Sequence, residues 1–137
     1  VPIEISPSSD LVIKISVQSK SAARTSAECG EIIFSGEKPE QIVDPGFGIM
    51  RLFWPMPLDS SPSGADTTQP ILDAVNQVRQ VAHRYGGSAV VEQCPLPVKR
   101  QIDIWGDSPD SLAVMRGIKD RFDPSGILNP GRFLGGI

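Results

Sequence analysis

Between Thr67 and Gly86 the residues Ile71, Val75, Val78, Ala82 and Tyr85 recur at steps of four, three, four and three. At about 100° per residue they share one stripe of a helix, and so apolar a stripe has to lie against a partner surface. Thr67 or Thr68 is placed to cap the start, Pro70 suits the first turn, and Gly86-Gly87 stops the helix. Whatever fold the chain adopts must supply an apolar surface for this helix to cover.

The flanking sequence supplies strands. Leu11 to Val17, "LVIKISV", is rich in β-branched residues and reads as one. In "GIMRLFWP", Gly48 to Pro55, Ile49, Arg51 and Phe53 face one way while Met50, Leu52 and Trp54 face the other, so both faces are mostly apolar and the strand is an inner one. Gln41-Ile42-Val43 is the other arm of a hairpin with Pro45 and Gly46 in its turn. "SAVVEQC", Ser88 to Cys94, is a further strand, "PLP" a break, and Lys99 to Trp105 another short extended segment.

Helices fill the remaining places. Ser19 or Ser21 is positioned to cap a short helix running to about Cys29, and Glu31 to Phe34 reads equally as its extension or as a strand. The last helix has Ser108 as cap, Pro109 in its first position, Asp107 and Asp110 near its positive end, and Lys119 and Arg121 near its negative end. Leu112, Met115, Ile118 and Phe122 form its expected buried edge, and Asp123-Pro124 ends it. The order predicts an α+β fold: a ferredoxin-like split βαβ sandwich with a largely antiparallel sheet, plus an appended C-terminal helix and tail. One domain over residues 1–137 is expected, with a flexible loop at about 56–66.

Charge narrows the function. A net charge of −3 and a pI near 5.1 give no broad positive field, which excludes nucleic acid as an expected partner. No apolar run is long enough to cross a bilayer, and the N-terminus lacks the pattern of a secretion signal, so the reading is a soluble, cytoplasmic protein. The chain begins on Val1, which reads as a piece of something longer.

The usual catalytic patterns are missing. Gly46-Phe47-Gly48 has no third glycine at position 51, and there is no phosphate loop and no GxSxG elbow. The one histidine, His83, lies off the apolar stripe and reads as a surface residue, so no histidine-based metal site is expected. Cys29 and Cys94 read as buried, reduced thiols, and Asp103, Asp107 and Asp110 as carboxylates that stabilise a helix start.

The closing stretch, "DPSGILNPGRFLGGI", is different. It makes two consecutive turns around an apolar Ile-Leu pair, and a proline-stiffened path loses less entropy when held against a surface. Either it wraps this domain's own core or another body receives it.

Met115 to Ile137, "MRGIKDRFDPSGILNPGRFLGGI", resembles the C-terminal domain of FAD-linked oxidases, which ends in a helix followed by a "DP…G…NPG[KR]" tail. Weaker similarity covers "DPGFGIMRLFW", "VRQVAHRYGGSAVVE" and "IDIWG" in the same order, and the ending is most similar to the FAD-binding subunit of bacterial glycolate oxidases. The resemblance implies a cap domain that follows a flavin-binding domain absent from this chain. It implies that the tail reaches FAD through Asn129, Pro130, Gly131 and Arg132. The parent would then be an oxidoreductase converting a 2-hydroxy acid to a 2-oxo acid, with catalytic flavin and iron–sulfur subunits as partners and peripheral membrane association through them.

Catalytic relatives carry histidines that, with a glutamate, bind a metal. Here Asp44 and Phe47 stand near the first place and Gln93 follows Glu92 in the second, so no metal is expected and Glu92 is kept as a candidate substrate contact. No catalytic residue is assigned, and the chain alone is expected to turn over nothing. The alternative is a non-enzymatic, ferredoxin-like protein-interaction module.

Overall fold

The computed structural model describes residues 11–55 and 68–137. Four strands, β1 (Leu11–Ser16), β2 (Glu40–Asp44), β3 (Ile49–Trp54) and β4 (Ser88–Gln93), form one sheet in the order β2-β3-β1-β4. Every pairing in it is antiparallel. Helix α1 (Ala22–Cys29) joins β1 to β2 and helix α2 (Thr68–Arg84) precedes β4. This is the expected α+β, ferredoxin-like plan, followed by α3 (Leu96–Lys99), α4 (Leu112–Phe122) and a tail. The loop expected at 56–66 and the cap candidate Thr67 lie outside the described residues.

Alternation decides which sheet face is buried. Leu11, Ile13 and Ile15 of β1 stand opposite Trp54, Leu52 and Met50 of β3, and all six are fully buried. Ile71, Ala74, Val75, Val78, Val81 and Ala82 of α2 complete the same core, with Cys29 from α1. Each large side chain removed from water in this way contributes about 1.5–3 kcal/mol. Tyr85 falls just beyond α2 but still packs on the cluster.

The hairpin between β2 and β3 turns over residues 45–48. There Asp44 Oδ1 accepts the Gly46 and Phe47 N–H groups at 3.1 and 3.3 Å. Gly48 has φ +66°, and a Cβ on it would lie 2.0 Å from the Val17 carbonyl oxygen, so no other residue fits.

Several local expectations are corrected. Ser21 is the N-cap residue of α1, but its side chain makes no cap hydrogen bond; instead Thr25 Oγ1 donates to the Ser21 carbonyl at 2.9 Å. Glu31 to Phe34 forms turns, with a single bridge from Phe34 to Glu37. The "PLP" segment starts a helical turn, because Pro95 at the N-cap and Pro97 just inside need no backbone donors there. Residues 100–105 are not a strand; Val91 N–H donates to the Ile104 carbonyl at 2.8 Å, Gln101 N–H to the Val98 carbonyl at 2.9 Å, and the Arg79 guanidinium to the Asp103 carbonyl.

Trp105 to Ile137 form a second compact unit, distinct from the residues up to Ile104. Helix α4 begins later than the sequence predicts. Its N-cap residue is Ser111 rather than Ser108, no acidic residue lies in its first turn, and Pro109 accepts the Leu112 N–H in the preceding turn. The expected buried edge is also absent, since no residue of α4 is buried and Ile118 and Phe122 are 55% and 80% exposed.

Candidate functional site

Asp123 organises the tail. It follows the last residue of α4 at φ −137°, and the adjoining Pro124 bars a further helical turn. Its two carboxylate oxygens accept the N–H groups of Ile127 and Leu128, each at 3.0 Å, and Lys119 Nζ lies 2.6 Å away. The Lys119 hydrogen bond, then those backbone donors, hold the Asp123 carboxyl below the ordinary carboxylate range. Lys119 Nζ also donates to the Leu128 carbonyl. Beyond this clamp, Trp105 and Phe133 meet edge to face at 4.9 Å, and Arg116 donates to the Gly135 carbonyl at 2.9 Å.

The clamp presents the turn that the sequence singles out. Asn129, Pro130, Gly131 and Arg132 are brought together as one exposed bend, closed by Arg132 N–H to the Asn129 carbonyl at 3.3 Å. Asn129 has φ +47° and Gly131 φ +68°, left-handed conformations that asparagine and glycine tolerate best. A Cβ at Gly131 would meet nothing within 4 Å, so the local packing leaves its backbone open to an approaching body. Among the described residues, neither the Asn129 amide nor the Arg132 guanidinium has a hydrogen-bonding or ionic partner. Together with Lys119, Leu128, Phe133 and Ile137 they border a groove of about 550 Å³.

Glu92 belongs to the other unit and to the sheet face opposite the core. Arg51 of β3 grips it with two bonds, Nε to Oε2 at 2.7 Å and Nη2 to Oε1 at 3.2 Å, across the intervening β1. This pairing raises the Arg51 pKa further, Glu92 being the largest cause. His83 is exposed, as expected. Cys29 is fully buried and Cys94 half-buried, both free thiols. Burial, helped by neighbouring Glu28, pushes the Cys29 thiol up to about 12, which removes it as a nucleophile. Asp107 and Asp110 lie ahead of α4, outside the first turn they were expected to stabilise.

Asp123, Lys119 and Arg51 have no site role in the sequence analysis. An Asp-Pro-Ser-Gly string is a visible turn signal. The Arg51 partnership needed the register of two non-adjacent strands.

The family described as FAD linked oxidases, C-terminal domain, matches residues 60–133, more than half of this chain. The chain belongs to that family. The match takes in Glu92 and the whole Asn129–Arg132 bend, whereas Arg51 falls outside it. No curated protein and no solved structure gives a significant match. Among the described residues no helix is long and apolar enough to cross a membrane.

Proposed function

We propose that this FAD-linked oxidase domain caps a flavoprotein subunit of the glycolate oxidase type, its tail docking on a flavin-binding domain of the parent protein. The observation that carries this reading is the Asn129–Arg132 bend, fixed from within by Asp123 yet exposed, with an amide and a guanidinium left unpaired among the described residues. Asn129 offers both a donor and an acceptor, Gly131 permits close backbone approach, and Arg132 brings a fixed positive charge suited to an anionic cofactor. Pro130 stiffens the bend that carries them. These residues fit a contact with FAD rather than a complete binding pocket, which the neighbouring domain would provide. Bound there, FAD supplies the hydride acceptor for oxidation of a 2-hydroxy acid to a 2-oxo acid.

Val114, Ile118 and Phe122 of α4, with Ile127 and Leu128 of the tail, are exposed apolar residues that such a neighbour would cover. Catalytic flavin and iron–sulfur subunits are the further partners in this reading, in the cytoplasm. In the flavin-loaded parent, Asn129→Ala with Arg132→Ala is expected to lower flavin content or turnover by roughly tenfold or more, the scale of a lost hydrogen bond to a charged group. Flavin absorbance per polypeptide and steady-state rates measure it. Unchanged values for both would contradict the proposal.

A further inference from the structure

The sheet face opposite the core carries a charge arrangement that the family match does not explain. Lys14 of β1 stands directly opposite Arg51 of β3 in register, both on this face. Two cations placed so are mutually destabilising unless an anion lies between them. Among the described residues Glu92 is the one carboxylate on Arg51, and it leaves the pair with a net positive charge. Two of the five guanidinium N–H groups are spent on Glu92, so three remain. The Lys14 ammonium has no hydrogen-bonding or ionic partner among the described residues. The flanking positions are apolar: Ile42, Ile49 and Phe53 on the β2 and β3 side, Val12 and Val90 on the other. Among the described strands the other carboxylates of this face stand at the ends of β2, Glu40 opposite Phe53 and Asp44 opposite Ile49, and Asp44 is engaged by the hairpin turn.

The metal implied by catalytic relatives does not fit these residues. Both Glu92 oxygens are occupied by a guanidinium, and among the described residues no three His, Cys, Asp or Glu side chains gather as ligands. We infer that Arg51 and Lys14 form a metal-independent site for a small carboxylate, with Glu92 as the positioning residue that aims the guanidinium. This rests on the 2-hydroxy-acid reading for its substrate class, and it assigns the carboxylate of that acid to the sheet face. No covalent step is involved; binding exchanges water on two cations for a carboxylate in a partly apolar setting.

The probe is 2-hydroxyisobutyrate, which has no α-hydrogen and so cannot be oxidised, with its neutral amide as control. Calorimetric titration of the flavin-loaded parent is expected to show binding of the acid and not of the amide. Arg51→Gln and Lys14→Gln should each weaken it by about tenfold, with flavin absorbance unchanged. Glu92→Gln should weaken it less, and a chelator should have no effect. Wild-type affinity in both the Arg51 and Lys14 variants, or binding lost to the chelator, would overturn the inference. Because the tail proposal is read by flavin content in Asn129 and Arg132 variants, either idea can fail while the other stands. Backbone amide spectra of each variant identify misfolding, and Arg51→Lys, which keeps charge but not the fork, then repeats the test with a partial loss expected.

Discussion

The sheet unit and the tail unit are held by different means. Up to Ile104, two helices press a continuous set of aliphatic side chains onto one sheet face, and six of the β1 and β3 residues there are fully buried. From Trp105 onward, no residue of α4 is buried, and order comes from the Asp123 clamp, one aromatic pair and a few backbone bonds. The first unit gathers most of its aliphatic side chains into one core, with Ile33, Ile42, Val43, Phe47 and Leu96 exposed outside it. The second leaves its apolar surface exposed on α4 and the tail, and fixes its shape with polar groups. A segment built that way is ready to receive another surface.

The largest effect that separates the two units is core truncation. Leu52→Ala, in the middle of β3, is expected to cost about 2–5 kcal/mol, whereas Ile118→Ala on α4 should change the stability of this chain by no more than about 0.5 kcal/mol. Urea unfolding measures both. Comparable losses would mean that α4 is packed after all.

A second contrast uses glycine. Gly48→Ala drives a methyl group into the Val17 carbonyl at positive φ, a loss of roughly 2–4 kcal/mol. Gly131→Ala has the same sign of φ but open space around it, so about 1 kcal/mol is expected in this chain. If Gly131→Ala then lowered flavin content in the parent well beyond that cost, the surplus would measure the approach of the second domain.

The smallest effect is a pH dependence confined to the tail. The folded-state pKa of Asp123 is depressed, so its contribution is complete above the ordinary value near 4 and is lost as pH falls through the lower folded-state value. Exchange of the Ile127 and Leu128 amides, referred to unstructured rates, should accelerate in that acid range while the β1 and β3 amides stay protected. Simultaneous loss in both units would show that the clamp is not local.

The sheet unit was legible because its signals are periodic. Alternation in β3 and the helical stripe of α2 each named the buried face, and the order of elements then left little choice of topology. The start of α4 was misread because Asp107-Ser108-Pro109 has the chemistry of a helix cap but is used as a turn one step earlier. Its expected buried edge failed for a related reason: period identifies an apolar face without saying which body covers it. The Asn129–Arg132 bend could be located from its Pro and Gly, but the Asp123 bonds that fix it span four and five residues through a side chain. The Lys14–Arg51–Glu92 group depended on strand register, which no short-range pattern encodes.

The most direct test compares hydroxyl-radical labelling of Phe122, Ile127 and Leu128 in this chain alone and in the flavin-loaded parent. Strong labelling in the chain and protection in the parent, with Ile33 in the turn after α1 labelled as strongly in both, is the predicted result. Equal labelling of the three tail residues in both proteins would contradict the account, because the surface left open by the tail unit would then have no receiver.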